Sequence, residues 1–578
     1  MRIAVLDRDK CHPKKCSQEC MSYCPRVRSG DKTIVMDEES GKPIISAELC
    51  VGCGICVHKC PFHAIHIENL PEELEEELIH QFGENGFHLF RLPLPKKGRI
   101  VGILGQNGIG KTTTLRILAG KIIPNLGKWE NPPSPDEVLE KWKRTEMYEY
   151  FKAILNEKMK VAFKPQYVDT LASMKGKVGD VVEDDDIAEQ LELKNILKME
   201  MKHISGGDWQ RVAIAATLQK DADIYFIDEP SSYLDINNRL QMARVIRNMA
   251  DEKMIVVVEH DLAVLDFLAD IVHLIYGKKG VYGIVTHPKS VRHGINVYLS
   301  GYLKEENVRF GEEIKFEIHP PKEMKELETL VSFNRLKKVF ENFSVEVEKG
   351  KIHEGEVIGV VGPNAIGKTT FVKMLAGVIE PTEGSIDSQV KVSYKPQYIK
   401  PVSGTVDEIF KRTNLNPFYE KEVAKPLGID ELKDREIKEL SGGELQTVAI
   451  ALCLSREADV YLLDEPSAYL DATQRMKVAK VIKRVMEKGG VAALVVDHDV
   501  YFIDMVSQSL MVFTGKPGKE GKGMGPFDLR TGMNIFLKEL GVTFRRDEES
   551  NRPRVNKPDS RLDREQRAMN EYYYEPLT

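Results

Sequence analysis

Short apolar runs punctuate the chain, each ending at a glycine or an acid. They are Arg99-Ile-Val-Gly-Ile-Leu, Ile224 to Ile227, Met254 to Val258, Gly355-Glu-Val-Ile-Gly-Val-Val, Tyr461-Leu-Leu and Val491 to Val496. Rich in β-branched residues and of strand length, they predict buried strands and fall far short of a bilayer span. Leu115-Arg-Ile-Leu-Ala and Val448-Ala-Ile-Ala-Leu-Cys-Leu predict buried helices, the second carrying a lone thiol, Cys453. Between the first strand and its later partners, Ser134-Pro-Asp-Glu137 opens a capped helix. Val138, Leu139, Trp142, Met147, Tyr148, Phe151, Ile154 and Leu155 continue it as a helical hairpin over about residues 132–158.

What joins strand to helix supplies the chemistry. After Arg99-Ile-Val-Gly-Ile-Leu comes GQNGIGKTT, with Gly105, Asn107, Gly108, Gly110, Lys111, Thr112 and Thr113. The same loop returns as GPNAIGKTT, with Gly362, Asn364, Gly367, Lys368, Thr369 and Thr370. Glycines and a helix N-terminus cradle phosphate, the lysine reaches the outer phosphates, and the first threonine holds Mg²⁺. Each loop is followed, in the same order, by Lys-Pro-Gln (Gln166, Gln397), Ser-Gly-Gly (Ser205, Gly206, Gly207; Ser441, Gly442, Gly443), Asp-Glu-Pro (Asp228, Glu229; Asp464, Glu465) and His-Asp (His260, His498). From the Ser-Gly-Gly serine to the Asp-Glu aspartate is 23 residues in both halves. Repetition at matched spacing is far more specific than one motif. The aspartates are placed to hold Mg²⁺ water and the glutamates to polarise an attacking water. The glutamines can sense metal and nucleophile, the histidines can contact the γ-phosphate, and the Ser-Gly-Gly turns offer N–H groups to a phosphate.

Composition adds limits. A chain of 578 residues, 42% hydrophobic and 30% charged, folds into several domains. Its net charge of −7 leaves any nucleic-acid binding to local patches. The N-terminus has no signal-peptide core, which predicts a soluble, cytoplasmic protein. Eight of the nine cysteines precede residue 61. Cys50, Cys53, Cys56 and Cys60-Pro follow the ferredoxin spacing for a [4Fe–4S] cluster, and Cys11, Cys16, Cys20 and Cys24-Pro are a looser variant. In two-cluster ferredoxins the fourth cysteine of each run serves the other cluster. Carried over, one cluster takes Cys50, Cys53, Cys56 and Cys24, and the other takes Cys11, Cys16, Cys20 and Cys60. Structural zinc prefers separated pairs.

The twin halves resemble ABC-type ATPases, in which the Ser-Gly-Gly signature of one half closes over the phosphate loop of the other. By that resemblance Lys111, Gln166, Asp228, Glu229 and His260 share a site with Ser441 to Gly443. Lys368, Gln397, Asp464, Glu465 and His498 share one with Ser205 to Gly207. Phe87 and Phe343 are candidate adenine-stacking rings, or ordinary core residues. With the cysteine head, Ser-x-Tyr-Leu-Asp after both Asp-Glu-Pro motifs, and the repeat of Arg292-His-Gly-Ile-Asn-Val-Tyr-Leu as Arg530-Thr-Gly-Met-Asn-Ile-Phe-Leu, the whole chain resembles the ABC-E ribosome-recycling ATPases of archaea and eukaryotes, also called the RNase L inhibitor family. Trp209 in the first signature and Thr447, where arginine is usual, depart from the pattern and bear on the relative turnover of the two sites.

The resemblance implies an α/β fold, with two ABC-type nucleotide-binding domains in tandem behind a ferredoxin-like (α+β) double iron–sulfur domain. The expected boundaries are 1–75 for the iron–sulfur domain, 76–290 and 326–525 for the two ATPase domains, 291–325 for a hinge, and 526–578 for a second hinge and tail. It implies two [4Fe–4S] clusters, ATP or ADP, and Mg²⁺. It implies a monomer with an intramolecular ABC dimer that splits ribosomes beside a release-factor or Pelota-type partner, touches small-subunit rRNA and ribosomal proteins, and meets initiation factors but no membrane. The hairpin, present in the first half alone, is a candidate docking element or a local brace. The tail's interleaved arginines and acids predict a solvated segment able to touch RNA phosphate. The rival classes are an ATP-gated electron-transfer protein and the energy module of a transporter.

Overall fold

The computed structural model describes residues 2–7, 10–37, 41–46, 49–69, 77–84, 86–166, 174–316, 328–387, 390–399, 402–413 and 419–574. Part of the expected linker, 317–327, and the last four residues of the tail lie outside them.

Each half is built on one mixed sheet, and the order of the five-strand parallel core is the same in both. In the first, the parallel core runs Ile271–Lys278, Arg99–Gly105, Met254–Val258, Ile224–Asp228, Val161–Lys164. In the second it runs Ser509–Lys516, Val357–Val361, Ala492–Val496, Val460–Asp464, Val392–Lys395. Six of these ten strands are the apolar runs of the sequence, and central strands such as Ile224–Asp228 and Val460–Asp464 are buried at every position. Burial on both faces is what a parallel sheet demands of its strands. All of the strand–loop junctions that carry motifs therefore fall at one edge, the carboxyl ends of the parallel strands.

The inner faces of the two sheets share a core. One apolar cluster runs from Leu104, Ala215 and Leu265 through Ile295 and Leu299 to Tyr501, Leu537 and Val555. The helices Val291–Ser300 and Leu529–Leu540, which carry the repeated Arg-x-Gly-x-Asn segments, lie in this shared region. Residues 544–574 are not a solvated tail. Phe544–Arg546, Pro553–Val555 and Tyr573–Tyr574 form a small sheet beside the helix Arg561–Ala568. Several of its arginines are interior: Arg552 is fully buried and donates to Asp266 at 3.1 Å and to the Tyr501 hydroxyl at 2.6 Å, while Arg546 donates to Asp504 at 2.7 Å. The alternation of charge that suggests a solvated segment in the sequence is here the pattern of an ion-paired joint. A buried guanidinium needs such partners.

The helical hairpin comprises Pro135–Lys141, started by the Ser134–Glu137 capping box, and Glu146–Leu155. Its aromatic face turns inward. Trp142 stacks on Phe151 at 4.5 Å between ring centres, and the Tyr150 hydroxyl donates to the Leu118 carbonyl at the end of the phosphate-loop helix. Of the two expectations, brace and docking element, its apolar residues serve as a brace, leaving a charged outer face of residues such as Arg144, Glu149 and Lys152. The head is a small α+β unit. Arg2–Leu6 pairs with Ile65–Asn69, and Ile34–Met36 pairs with Pro43–Ile45. Of the cysteines, Cys20 and Cys56 lie in the short helices Glu19–Ser22 and Ile55–Lys59, while Cys24 and Cys60 flank helix ends. It meets the second half through Lys10, whose ammonium lies 3.7 Å from Glu431.

Candidate functional site

In both halves a glycine in the left-handed region starts the phosphate-loop helix, Gly110 at φ 96° and Gly367 at φ 103°. A Cβ on Gly110 would meet the Phe87 ring at 2.6 Å, and one on Gly367 would come within 3.1 Å of the Phe343 ring. Both aromatic candidates thus lie against their phosphate loops. Phe340, exposed and stacked at 6.3 Å on Phe343, adds a ring in the second half that the motif spacing did not single out.

Lys111 is buried and folds back on its loop, donating to Gly105 O at 3.1 Å, Gln106 O at 2.6 Å and Asn107 Oδ1 at 3.2 Å. Lys368 does the same with Gly362 O and Pro363 O at 2.8 and 2.6 Å. Thr112 Oγ1 donates to Asp228 Oδ2 at 2.8 Å, and Thr369 to Asp464 at 2.8 Å. The other oxygen of each aspartate is buried, with no hydrogen-bond partner among the described residues. Burial, with Glu229 adjoining, pushes Asp228 up to about 6; burial raises Asp464 as well. An unpaired carboxylate oxygen beside a threonine hydroxyl is a ligand set suited to a divalent cation.

The glutamates follow at once, and both adopt positive φ, 47° at Glu229 and 49° at Glu465. Glu229 Oε1 accepts from Gln166 Nε2 at 2.7 Å and lies 3.3 Å from His260 Nε2. Glu465 repeats this with Gln397 at 2.7 Å and His498 at 3.6 Å. Burial alone would raise these carboxyls, but His260, Lys111 and Gln166 outweigh it at Glu229, and His498, Gln397 and Lys368 at Glu465, so both are held at about 2. Each is an ionised acceptor at neutral pH, and Lys368, desolvated, falls to about 8. Gln, Asp, Glu, His and the loop lysine of each half converge on one place.

The signature serines cap their own helices. Ser205 accepts from Asp208 N at 3.2 Å and Ser441 from Glu444 N at 3.4 Å, each in a capping box. Among the described residues no hydrogen bond joins either Ser-Gly-Gly turn to the opposite phosphate loop. The halves are tied by aspartates instead. Asp471 Oδ2 accepts from Asn107 N at 3.1 Å, and Asp235 Oδ2 from Asn364 N at 2.9 Å. These residues were visible in the sequence as the last letter of Ser-x-Tyr-Leu-Asp, but nothing in one linear repeat says that each reaches across. Lys279, packed on Gly108, lies 3.2 Å from Glu444 at the start of the second signature helix. The two departures have local partners: Trp209 Nε1 donates to Met201 O at 2.8 Å, and Thr447 Oγ1 donates to Gly443 O at 2.9 Å, with Arg435 pairing with Glu444 at 3.0 Å where the first half uses Arg211 on Asp208.

In the head the thiols gather as two quartets. Cys11, Cys16, Cys20 and Cys60 line one cavity; Cys24, Cys50, Cys53 and Cys56 line another. Burial and neighbouring thiols push Cys20 up to about 11 and Cys56 to about 12. Among the described residues no three His, Cys, Asp or Glu converge as ligands of a single ion. Each quartet takes three cysteines from one run and the fourth from the other, which suits a ferredoxin-type cluster bringing its own sulfides. No described helix is long and apolar enough to cross a membrane.

Comparison with known proteins gives matches over the whole chain. The ABC transporter family model matches residues 95–232 and 348–468. A model described as a possible Fer4-like domain in RNase L inhibitor matches residues 1–32, and the 4Fe-4S binding domain model matches residues 43–66. An uncharacterized ABC transporter ATP-binding protein of Methanocaldococcus jannaschii is 54% identical over 99% of this chain and 98% of its own length. Translation initiation factor RLI1 of Saccharomyces cerevisiae is 44% identical over 99% and 98%. Among solved structures, a chain from a model of ribosome-bound archaeal Pelota and ABCE1 is 53% identical, with a TM-score of 0.92, covering 100% of this chain and 99% of that one. The chain binds nucleotide through ABC ATPase domains and carries an iron–sulfur domain.

Proposed function

This chain belongs to the RNase L inhibitor, or ABC-E, family, and on that premise we infer that it is an ATP-driven ribosome-recycling factor working beside a Pelota- or release-factor-type partner. The observation that carries the ATPase mechanism is the pair of reciprocal ties, Asp235 to Asn364 N and Asp471 to Asn107 N, because they make each phosphate loop a property of both halves. ATP bound at Gly105–Thr113 or Gly362–Thr370 meets the loop N–H groups, with Lys111 or Lys368 turned from its backbone carbonyls onto the outer phosphates. Phe87 and Phe343 stack on adenine. Thr112, Asp228 and Gln166, or Thr369, Asp464 and Gln397, would hold Mg²⁺, which when bound neutralises phosphate charge. Ser205 to Gly207 and Ser441 to Gly443 close over the γ-phosphate of the opposite site as the halves approach.

Glu229 or Glu465, ionised at neutral pH, accepts a hydrogen bond from water and aims it at the γ-phosphorus. The new P–O bond forms as the bond to the bridging oxygen breaks, giving ADP and phosphate. His260 and His498 bind the γ-phosphate. Two [4Fe–4S] clusters, one on Cys11, Cys16, Cys20 and Cys60 and one on Cys24, Cys50, Cys53 and Cys56, would cross-link a head too small to bury much core alone. Closure of the halves moves that head against the partner between the subunits, a hinge transition. The test is nucleotide trapping: Glu229→Gln with Glu465→Gln holds ATP and stays on the small subunit after splitting. Rapid release with ATP still intact would sink the reading.

A further inference from the structure

Two buried side chains that this mechanism leaves idle meet at one atom, the backbone carbonyl of the catalytic glutamate. Lys164 ends the strand that leads to Gln166 and is wholly buried. Its Nζ donates to Asp228 O at 2.9 Å and to Glu229 O at 3.4 Å. Gln210, also buried, lies one turn into the signature helix Gly206–Leu218, and its Nε2 donates to Glu229 O at 2.7 Å and Pro230 O at 2.8 Å. The second half repeats the arrangement. Lys395 reaches Asp464 O at 2.7 Å and Glu465 O at 3.2 Å, and Gln446 reaches Glu465 O at 2.7 Å and Pro466 O at 3.0 Å.

The glutamates they hold are non-glycine residues in the left-handed region, a conformation that persists only where the surroundings over-determine it. A peptide carbonyl accepts two hydrogen bonds. At Glu229 O both come from side chains on different elements, and Glu465 O keeps the same two beside a longer contact from Ala468 N at 3.4 Å. We propose that Lys164 and Gln210, with Lys395 and Gln446, are positioning residues that hold the catalytic glutamate's backbone so that its carboxylate points at the attacking water. The glutamines further make that position depend on the signature helix, which serves the opposite ATP site. Closure of one site is thereby felt at the glutamate of the other. This rests on the site assignment above.

The experiment uses the full-length holoprotein carrying Glu465→Gln, so that the first site alone turns over. Adding Lys164→Met is expected to lower kcat about 10²-fold, as a small misplacement of a reacting group does. KM and the affinity for a non-hydrolysable ATP analogue should move less than about twofold, because the lysine touches no nucleotide. Combined with Glu229→Gln in the same background, Lys164→Met should add no further loss, since both changes remove one function. Gln210→Leu gives the same test if the lysine variant fails to fold, as does Lys395→Met in a Glu229→Gln chain. A parallel loss of analogue binding, or a further equal loss on top of Glu229→Gln, overturns the proposal. So does an unchanged kcat for Lys164→Met where Glu229→Gln is inactive. Full turnover by Glu229→Gln with Glu465→Gln would instead remove the site assignment, and the proposal with it.

Discussion

Asp228 and Glu229 are neighbours in the chain, yet burial leaves one near 6 and the converging cation and donors hold the other near 2. That split matches the proposed division of labour, in which Asp228 would face the metal and Glu229 the water. The motif letters and their order were legible in the sequence because phosphate binding and water activation need fixed residue types at fixed spacing. What was not legible is what holds them: Lys164 and Gln210 act through a backbone carbonyl, which leaves no pattern in side-chain chemistry. The cysteines behave the same way. Spacing gave eight thiols, and the ferredoxin rule gave the exchange of the fourth ligand, but only the folded head puts Cys60 beside Cys11 and Cys24 beside Cys56. Cys60→Ser and Cys24→Ser should therefore each lower the iron content of anaerobically purified protein from about eight to about four atoms per chain. Because the two lesions lie in different clusters, the double variant should lose essentially all of it. Loss of all iron in either single variant would contradict two independently held clusters.

At the scale of elements, the C-terminal segment diverges most from what its composition suggests. The aromatic-rich insertion, legible as a docking element or a brace, stacks Trp142 on Phe151 as a brace would. Trp142→Ala should cost about 3–5 kcal/mol, read as a fall in the denaturation midpoint of the first half. An unchanged midpoint would mean that the hairpin does not brace the sheet. In the C-terminal segment, Asp547 accepts from Arg292 at 2.9 Å and from Asn296 at 3.0 Å. Burial would raise its carboxyl, but the Asn296 bond, the backbone N–H groups of Ser550 and Glu549, and Arg552 hold it at about 2. A folded pKa below the unfolded one contributes stability that is present above about pH 4 and lost as the pH falls through about 2. The unfolding midpoint of the wild-type chain should thus drop more steeply from pH 5 to pH 3 than that of Asp547→Asn, which lacks this term throughout. Parallel curves would show that the joint draws nothing from that carboxylate.

The molecule as a whole is two copies of one ATPase half, facing each other across Asp235 and Asp471 and joined behind by an ion-paired sheet that touches both. Arg552 and Arg554 reach Asp266, and Arg546 reaches Asp504. Asp266 and Asp504 lie on the helices that begin next to His260 and His498, so one helix in each half links the proposed ATP site to the joint. Duplication was legible from the repeat; the reciprocity of the ties was not, because it exists only between halves. The measurement that bears most directly on the account is sedimentation of whole ribosomes of the matching domain of life, with this protein, a Pelota-type partner, and ATP or a non-hydrolysable analogue. The account predicts subunits in place of whole ribosomes with either nucleotide, and the protein retained on the small subunit with the analogue. Intact ribosomes under both conditions, from a preparation that hydrolyses ATP and carries its iron, would contradict it.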